Sequence, residues 1–439
     1  MRNENQPAFA HEIAKGVLDY YKMPEKSSSP EAVYNLLRDE MLLDGNERQN
    51  LATFCTTWTE EEVDALMKAG SVKNMIDKEL YPESADIEQR CIHILADLWN
   101  SPSPKETIGT SCVGSSEAAM LGGLALKWNW RLKRQAKGLD VSKPNLVTGP
   151  VQICWKKFCR YFDVEHREVP IRDNAVGATP EDMVSYCDEN TIGVVPTFGI
   201  TFTCAYEDVA GLSKALDKLQ KEKGLDINMH VDAASGAFIA PFIEDQKSIV
   251  WDFRLPRVKS INASGHKYGL APLGMGWVVW REKQDLPEEL IFYVNYLGGN
   301  MPTFALNFSR PAGQIIAQYY LFLRLGKEGY QEIQETCMKT AQYLADELAK
   351  IPEFEILYNG RGGLPATSFK LKDGNHKFNL FEVVERIKMR GWQAAAYPLP
   401  KSREKTIIMR ILIRQGISTN MASLLVKDIK NAIATLSSR

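Results

Sequence analysis

Lys267 stands in the string Ser264-Gly265-His266-Lys267-Tyr268-Gly269, directly after a short apolar, β-branched segment. Glycines on either side let other groups approach the backbone, and a lysine at a strand end in an α/β sheet faces the crevice where ligands bind. Its amine is a candidate for Schiff-base chemistry; taken alone, the hexapeptide also fits a surface lysine after a turn. In His230-Val231-Asp232-Ala233-Ala234, strand alternation puts His230, Asp232 and Ala234 on one face. An aspartate in so apolar a strand needs a cation or hydrogen-bond donors, because burying an unpaired carboxylate is costly. A protonated pyridine nitrogen is a fitting partner, and a helix cap or core hydrogen bond is the plain alternative. The third string, Gly114-Ser115-Ser116-Glu117-Ala118-Ala119, offers hydroxyls and free N–H groups where a helix begins. That arrangement attracts phosphate, although Ser-Ser-Glu is also an ordinary helix start. A lysine for an imine, an aspartate for a ring nitrogen and a helix start for one phosphate together point to pyridoxal 5'-phosphate. Neither GxGxxG nor GxxxxGK[ST] occurs, so dinucleotide and P-loop readings lack support.

These residues need a scaffold, and the flanking pattern supplies one. Segments 191–201, 227–234, 258–264 and 276–281 are short and apolar and read as strands of a mainly parallel sheet. Between the first two, Val209, Leu212, Leu216 and Leu219 recur at helical spacing over 206–223, which makes a βαβ unit. A helix over 114–137 and strands at 145–148 and 164–171 extend the same body. From 326 to 351 a long helical pattern carries Ile333, Cys337, Ala341, Leu344 and Leu348 on one face and is expected to bridge two domains. Beyond it the order is strand (354–358), strand (367–371), helix (380–389), strand (406–413) and helix (421–436), a small α+β domain. The expected division is a helical N-terminal segment, 1–48, a large cofactor domain, 49–336, and a small C-terminal domain, 337–439.

Several of these strings resemble the bacterial and plant glutamate decarboxylases, in the fold-type I branch of pyridoxal-phosphate enzymes. The resemblance runs from about Asp44 to Leu436 and is densest in LDGNERQNLATFC (43–55), GSSEAAMLGG (114–123), HVDAASGAF (230–238), WDFRLPRVKSINASGHKYGLAPLGMGW (251–277) and NFSRPAGQIIAQYY (307–320). It implies decarboxylation of L-glutamate to 4-aminobutanoate through a Schiff base on Lys267. By the same resemblance Asp232 is the pyridine-nitrogen partner, Ala234 packs on the ring, Thr201 meets the ring substituents and Gln152 stacks on it. Ser115 and Ser116 would hold the phosphate with Ser264 and His266, while Ser309 would reach the phosphate of a neighbouring subunit. Thr53, Phe54, Asn74 and Asp77 would receive the distal carboxylate, and Arg410, in IIMRILI, would grip the α-carboxylate. Lys267, His266 and Tyr296 all remain candidates for moving protons near Cα. Asp77 beside a substrate carboxylate requires a shared proton, since two bare carboxylates repel, so better activity in acid is expected. Lys156 departs from the family, which often has histidine or glutamate there. The nearer alternatives are a decarboxylase for aspartate or an aromatic amino acid, and a pyridoxal-phosphate lyase or desulfurase. A non-catalytic scaffold would be expected to have lost Lys267 or Asp232, and both are present.

Composition bounds the remaining possibilities. The 439 residues carry 53 Lys+Arg against 55 Asp+Glu, so no global field recruits nucleic acid or anionic membrane. The balance is uneven: residues 401–439 hold eight basic and two acidic side chains. No apolar run reaches the length of a membrane span. Eight scattered cysteines with no CxxC read as reduced thiols, and six histidines with no HxxxH or HxH argue against a metal site. With no secretory signal at the start, a cytoplasmic location is expected. His11, His166 and His376, in polar surroundings, are expected at the surface. The cluster Trp128, Trp130, Trp155, Phe158, Tyr161 and Phe162 is read as core and subunit interface rather than a stacking platform for nucleic acid. A homo-oligomer is expected, at least a dimer, with a hexamer left open. Because the chain stops at Arg439, neither calmodulin binding nor a self-plugging tail is expected.

Overall fold

A computed structural model describes residues 21–173, 175–296 and 301–438. His11 and most of the Gly-flanked segment after Tyr296 lie outside the described residues. The elements in chain order are α1 (Pro30–Met41), α2 (Glu61–Gly70), α3 (Pro82–Leu98), β1 (Ile108–Cys112), α4 (Ser115–Gln135), β2 (Asn145–Thr148), α5 (Ile153–Tyr161), β3 (Glu165–Glu168), α6 (Pro180–Ser185), β4 (Thr191–Val195), α7 (Val209–Lys223), β5 (Met229–Asp232), β6 (Val258–Ala263) and β7 (Gly276–Trp280). There follow β8 (Phe292–Val294), β9 (Met301–Thr303), α8 (Gly313–Ala349), β10 (Phe354–Tyr358), β11 (Ala366–Leu371), α9 (Leu380–Lys388), β12 (Ala395–Pro398), β13 (Ile407–Leu412) and α10 (Thr419–Ser437).

Seven strands form the central sheet in the order β1-β7-β6-β5-β4-β2-β3. All neighbours are parallel except at β7, which runs antiparallel to both β6 and β1. Burial on both faces is why β4 and β7 are almost wholly apolar, while β5 buries His230 and Asp232 among apolar neighbours. It also hides direction, because a doubly buried antiparallel strand carries the same pattern. The expected strand at 164–171 shrinks to β3, and the segment 191–201 is a strand only as far as Val195, turning afterwards.

The long helix starts earlier than its pattern suggested. It runs from Gly313 with a kink at Gly326, whose φ of 58° lies in the left-handed region. Ile315, Ala317, Leu321 and Tyr330 bury into the large core, while Cys337, Ala341, Leu344 and Leu348 bury into the small one, so α8 bridges both as expected. Gly70 and Gly313 let α2 and α8 touch through backbone: a Cβ on Gly70 would stand 2.6 Å from the Cα of Gly313. The small domain is a four-stranded antiparallel sheet, β10-β11-β13-β12, with α9 and the end of α8 packed against it and α10 packed on those two helices. Of α1, only Ala32 is buried in this chain.

Candidate active site

Three loops meet at Lys267. The first follows β6, and its register is fixed by Ser264 N–H donating to Ala234 O at 3.1 Å and His266 N–H donating to Met275 O at 3.2 Å. The second is the extended segment around Thr56: its N–H donates to His266 O at 2.8 Å and its hydroxyl to Lys267 O at 2.9 Å. The third follows β5, where Ser235 Oγ accepts from Lys267 Nζ at 3.3 Å. The amine also lies 5.1 Å from the ring centroid of Phe54. Burial lowers the Lys267 pKa from its ordinary value, with Asp232 opposing that shift. A larger neutral fraction follows, and the neutral amine is the form that adds to an aldehyde.

Asp232 ends β5 and is buried. Its Oδ2 accepts from the Trp155 indole at 2.7 Å, and its Oδ1 accepts from Asn262 Nδ2 and from Ala234 N–H, each at 3.1 Å. His266 lies over the start of α4: a Cβ on Gly114 would stand 3.1 Å from its ring, and Gly114 has a φ of 80°. A Cβ on Gly276 would come within 2.7 Å of Ser115 N, so this glycine is what lets β7 approach the helix start. Ser115 and Ser116 open α4, whose first N–H groups have no partners within the helix. Nδ1 of His266 accepts from Met275 N–H at 3.1 Å, which leaves the proton on Nε2. Burial, then the neighbouring Lys267, lower its pKa to about 4, so the ring is neutral near neutral pH.

Arg410 comes from β13 in the small domain. Its guanidinium lies 4.6 Å from the Phe54 ring and 5.5 Å from the Tyr397 ring, and it donates to Thr201 O and, at 2.8 Å, to Ala52 O. Its Nε is buried and has no partner among the described residues. Arg414, two residues beyond β13, donates to Cys55 O, Glu47 O and Asn50 O at 2.9, 3.0 and 2.6 Å, which fixes the segment that carries Thr53 and Phe54. Thr53 Oγ accepts from Cys55 N–H at 3.1 Å.

The residues singled out in the sequence fall into two groups. Lys267, His266, Asp232, Ala234, Ser264, Thr201, Thr53, Phe54 and Arg410 surround one crevice, with Ser115 and Ser116 at its His266 side. Gln152 caps α5 by accepting from Cys154 N–H at 2.6 Å, three residues before Trp155. Asn74 belongs to a second group: its amide donates to Ser309 Oγ at 3.3 Å and its Oδ1 accepts from Arg310 N–H at 3.2 Å, while Asp77 N–H donates to Asn74 O. Tyr296 lies with this second group, 73% exposed, its ring stacked on Phe308 at 6.4 Å. His166 corrects the surface expectation: it is half-buried with Nε2 2.9 Å from Thr148 Oγ, and burial lowers its pKa. Trp155 and Phe158 are core, as read, but Tyr161 is exposed. Among the described residues no cluster of His, Cys, Asp and Glu suits a metal ion, and no helix is long and apolar enough to cross a membrane.

Residues 24–372 match the family described as the pyridoxal-dependent decarboxylase conserved domain. The chain belongs to this family of pyridoxal-dependent decarboxylases. It is 60% identical to a glutamate decarboxylase of Aliivibrio fischeri over 414 residues, 94% of this chain and 89% of that one. A glutamate decarboxylase of Lactococcus lactis is 47% identical, over 98% of this chain and 93% of its own length. The solved glutamate decarboxylase of Lactobacillus brevis superposes with a TM-score of 0.95 at 43% identity, covering 99% of both chains.

The family's cofactor is pyridoxal 5'-phosphate, and the crevice suits it. Ser264 Oγ is buried with no partner among the described residues, Lys267 is half-buried, and Asp232 keeps acceptor capacity beyond its three donors. Sequence reasoning missed Thr56, Ser235, Asn262, Tyr397 and Arg414. Ser235 and Asn262 lie three residues after Asp232 and five before Lys267, respectively, without a signature of their own, and Thr56, Tyr397 and Arg414 reach the site from other parts of the chain.

Proposed function

We propose that this enzyme converts L-glutamate to 4-aminobutanoate and carbon dioxide, with Lys267 carrying the cofactor. The observation that supports it most is the position of Arg410, held between Phe54 and Tyr397 in the crevice that also holds Lys267. A bound α-carboxylate engages the guanidinium through charge-assisted hydrogen bonds, which orients the bond to the leaving carboxylate. Pyridoxal phosphate supplies the sink for the electron pair left on Cα when carbon dioxide departs. Asp232 keeps a proton on the ring nitrogen, and Ser264, His266 and the N–H groups at Ser115 and Ser116 hold the phosphate. Phe54 shields the amine from water, and Gln152, at the start of α5, would stack on the ring. One proton per turnover is taken up at Cα, delivered from Lys267 Nζ, the amine that lies beside Ser235 and Phe54.

The distal carboxylate of glutamate takes Thr53 and Phe54 from one chain and Asn74 and Asp77 from a second copy, with that copy's Ser309 near the phosphate. The separate Asn74–Ser309 group supports this division, as does an α1 that buries only Ala32 in its own chain. The working form is therefore at least a dimer, and the cytoplasm, where thiols stay reduced, is its compartment. The test is to incubate cofactor-loaded protein with single amino acids and measure carbon dioxide and amine release. Glutamate should be turned over, and Lys267→Ala should lose both turnover and borohydride-trapped cofactor. Turnover of aspartate or tyrosine with none of glutamate would overturn the substrate assignment.

A further inference from the structure

Asp232 is gripped from behind as well as from the cofactor side. A carboxylate has about four acceptor positions, and three of these are filled from within the chain by Trp155, Asn262 and Ala234 N–H. The chemistry of each partner fixes the next. Asn262 must turn its NH₂ towards the carboxylate, which can only accept, so its Oδ1 faces His230 Nε2 at 2.7 Å. His230 must then carry its proton on Nε2, leaving Nδ1 to accept from the hydroxyl of Ser260 at 2.7 Å. One protonation pattern satisfies the whole chain from Ser260 to Asp232. Trp155, His230, Ser260 and Asn262 are all buried. The space for His230 is specific: a Cβ on Gly122 of α4 would lie 2.3 Å from its ring, and the Trp155 ring stands 5.3 Å away. The titratable groups that bear on Asp232 from other elements include Lys267, Glu207 and Cys154.

We propose that Trp155 and the Asn262–His230 pair are positioning residues for Asp232, holding its last free lone pair on the line of the cofactor's ring nitrogen. This rests on the reading of Asp232 as the ring-nitrogen partner. A carboxylate fixed in this way loses no side-chain freedom when the cofactor arrives, whereas an unfixed one rotates and meets the ring nitrogen only part of the time.

The test uses the full-length apoenzyme and two cofactors: pyridoxal 5'-phosphate and its 1-deaza analogue, in which carbon replaces the ring nitrogen. Dissociation constants are measured for the wild type, for Trp155→Phe, which keeps an aromatic ring but loses the indole N–H, and for His230→Leu. Wild type should prefer the natural cofactor by tenfold or more. Both variants should lose roughly tenfold of natural-cofactor affinity while binding the deaza analogue within twofold of wild type. Ser260→Ala, which disturbs only the far end of the chain, should move in the same direction by less and serves if His230→Leu does not fold. Equal losses for both cofactors, or none, would assign these residues to packing and overturn the proposal. If wild type binds both cofactors equally, the reading of Asp232 itself falls, and the proposal with it.

Discussion

Arg310 is the place where one substitution should change both the size and the pH dependence of stability. It follows Ser309, and its Nη2 stands 3.0 Å from Glu88 Oε1, with both side chains about one-tenth exposed. Glu88 Oε1 also accepts from Ser111 N–H at 2.9 Å and from the Ser111 hydroxyl. At 3.0 Å and an effective dielectric of about 20 the gross attraction is about 5.5 kcal/mol, and removing one partner of such a buried pair costs roughly 3–5 kcal/mol. Arg310→Met should therefore lower Tm by about 3–5 °C in a chain of this size. The pH dependence carries the sharper test. In the wild type, burial raises the Glu88 pKa, but Arg310 and Ser111 outweigh it and leave the carboxyl below its ordinary value. Its contribution is thus present above about pH 4.5 and is lost as pH falls through the folded-state value. Without Arg310 burial prevails, the folded-state pKa rises above the unfolded one, and stability falls as pH rises. The gap between variant and wild type, followed by urea unfolding, should be widest near pH 7.5 and close towards pH 4.5. Adding Glu88→Gln to Arg310→Met should recover most of the loss. A gap that stays constant with pH, or one under 1 kcal/mol at pH 7.5, would refute the reasoning.

Arg410→Gln keeps some hydrogen bonding but no charge; kcat/KM for glutamate should fall about 100-fold or more, with cofactor absorbance unchanged. Glu207, buried against Thr197 and Ala178 N–H at 2.7 and 3.0 Å, has its pKa pushed up to about 8, chiefly by burial, with the two donors opposing and Asp232 adding. Its contribution to stability is therefore full below about pH 4.5 and lost as pH rises through 8. The difference in unfolding free energy between Glu207→Gln and wild type should change by on the order of a few kcal/mol over that window, and a flat difference would count against it. Decarboxylation consumes a proton, so the rate should rise from pH 7.5 to 4.5, and if Asp77 takes the distal-carboxylate place proposed for it, Asp77→Asn should flatten the rise. A flat wild-type profile would remove the idea.

The parts of the site legible in the sequence are those with a local signature. Lys267 has glycines and a preceding strand, Asp232 sits in an apolar strand, and Ser115 and Ser116 open a helix. Each signal depends on neighbours within a few residues. The partners of those residues have no such signature. Trp155 was readable as buried, and it is, but nothing in ICWKKFCRY says that its N–H points at a carboxylate 77 residues away. Tyr397 and Arg414 likewise act through rings and carbonyls contributed by distant segments. In the fold, the helical period found the last two-thirds of α8 and lost the rest because the turn at Gly326 breaks the phase. β1, whose sequence IGTSC mixes polar with apolar residues, left no strand pattern, since its polar side chains are satisfied by Glu88, Arg310 and one another.

The uneven charge of residues 401–439 finds a partial account in the same geometry. Of the eight basic side chains there, Arg410 and Arg414 are buried, and among the described residues neither has a carboxylate within ion-pair distance. Both donate to carbonyl oxygens, which solvate a guanidinium without neutralising it. Burial accordingly lowers the Arg414 pKa. Two uncompensated cations in one interior are destabilising, and the fold tolerates them only because other packing outweighs the cost. An anionic ligand reverses that cost when it arrives, and Arg410 is the nearer of the two to Lys267, through the Phe54 ring that both cations face. On the proposed reading of Arg410, a substrate's α-carboxylate makes charge-assisted hydrogen bonds to the guanidinium that the decarboxylated amine product cannot make. On that reading, the buried charge that favours the amino acid favours the decarboxylated product less.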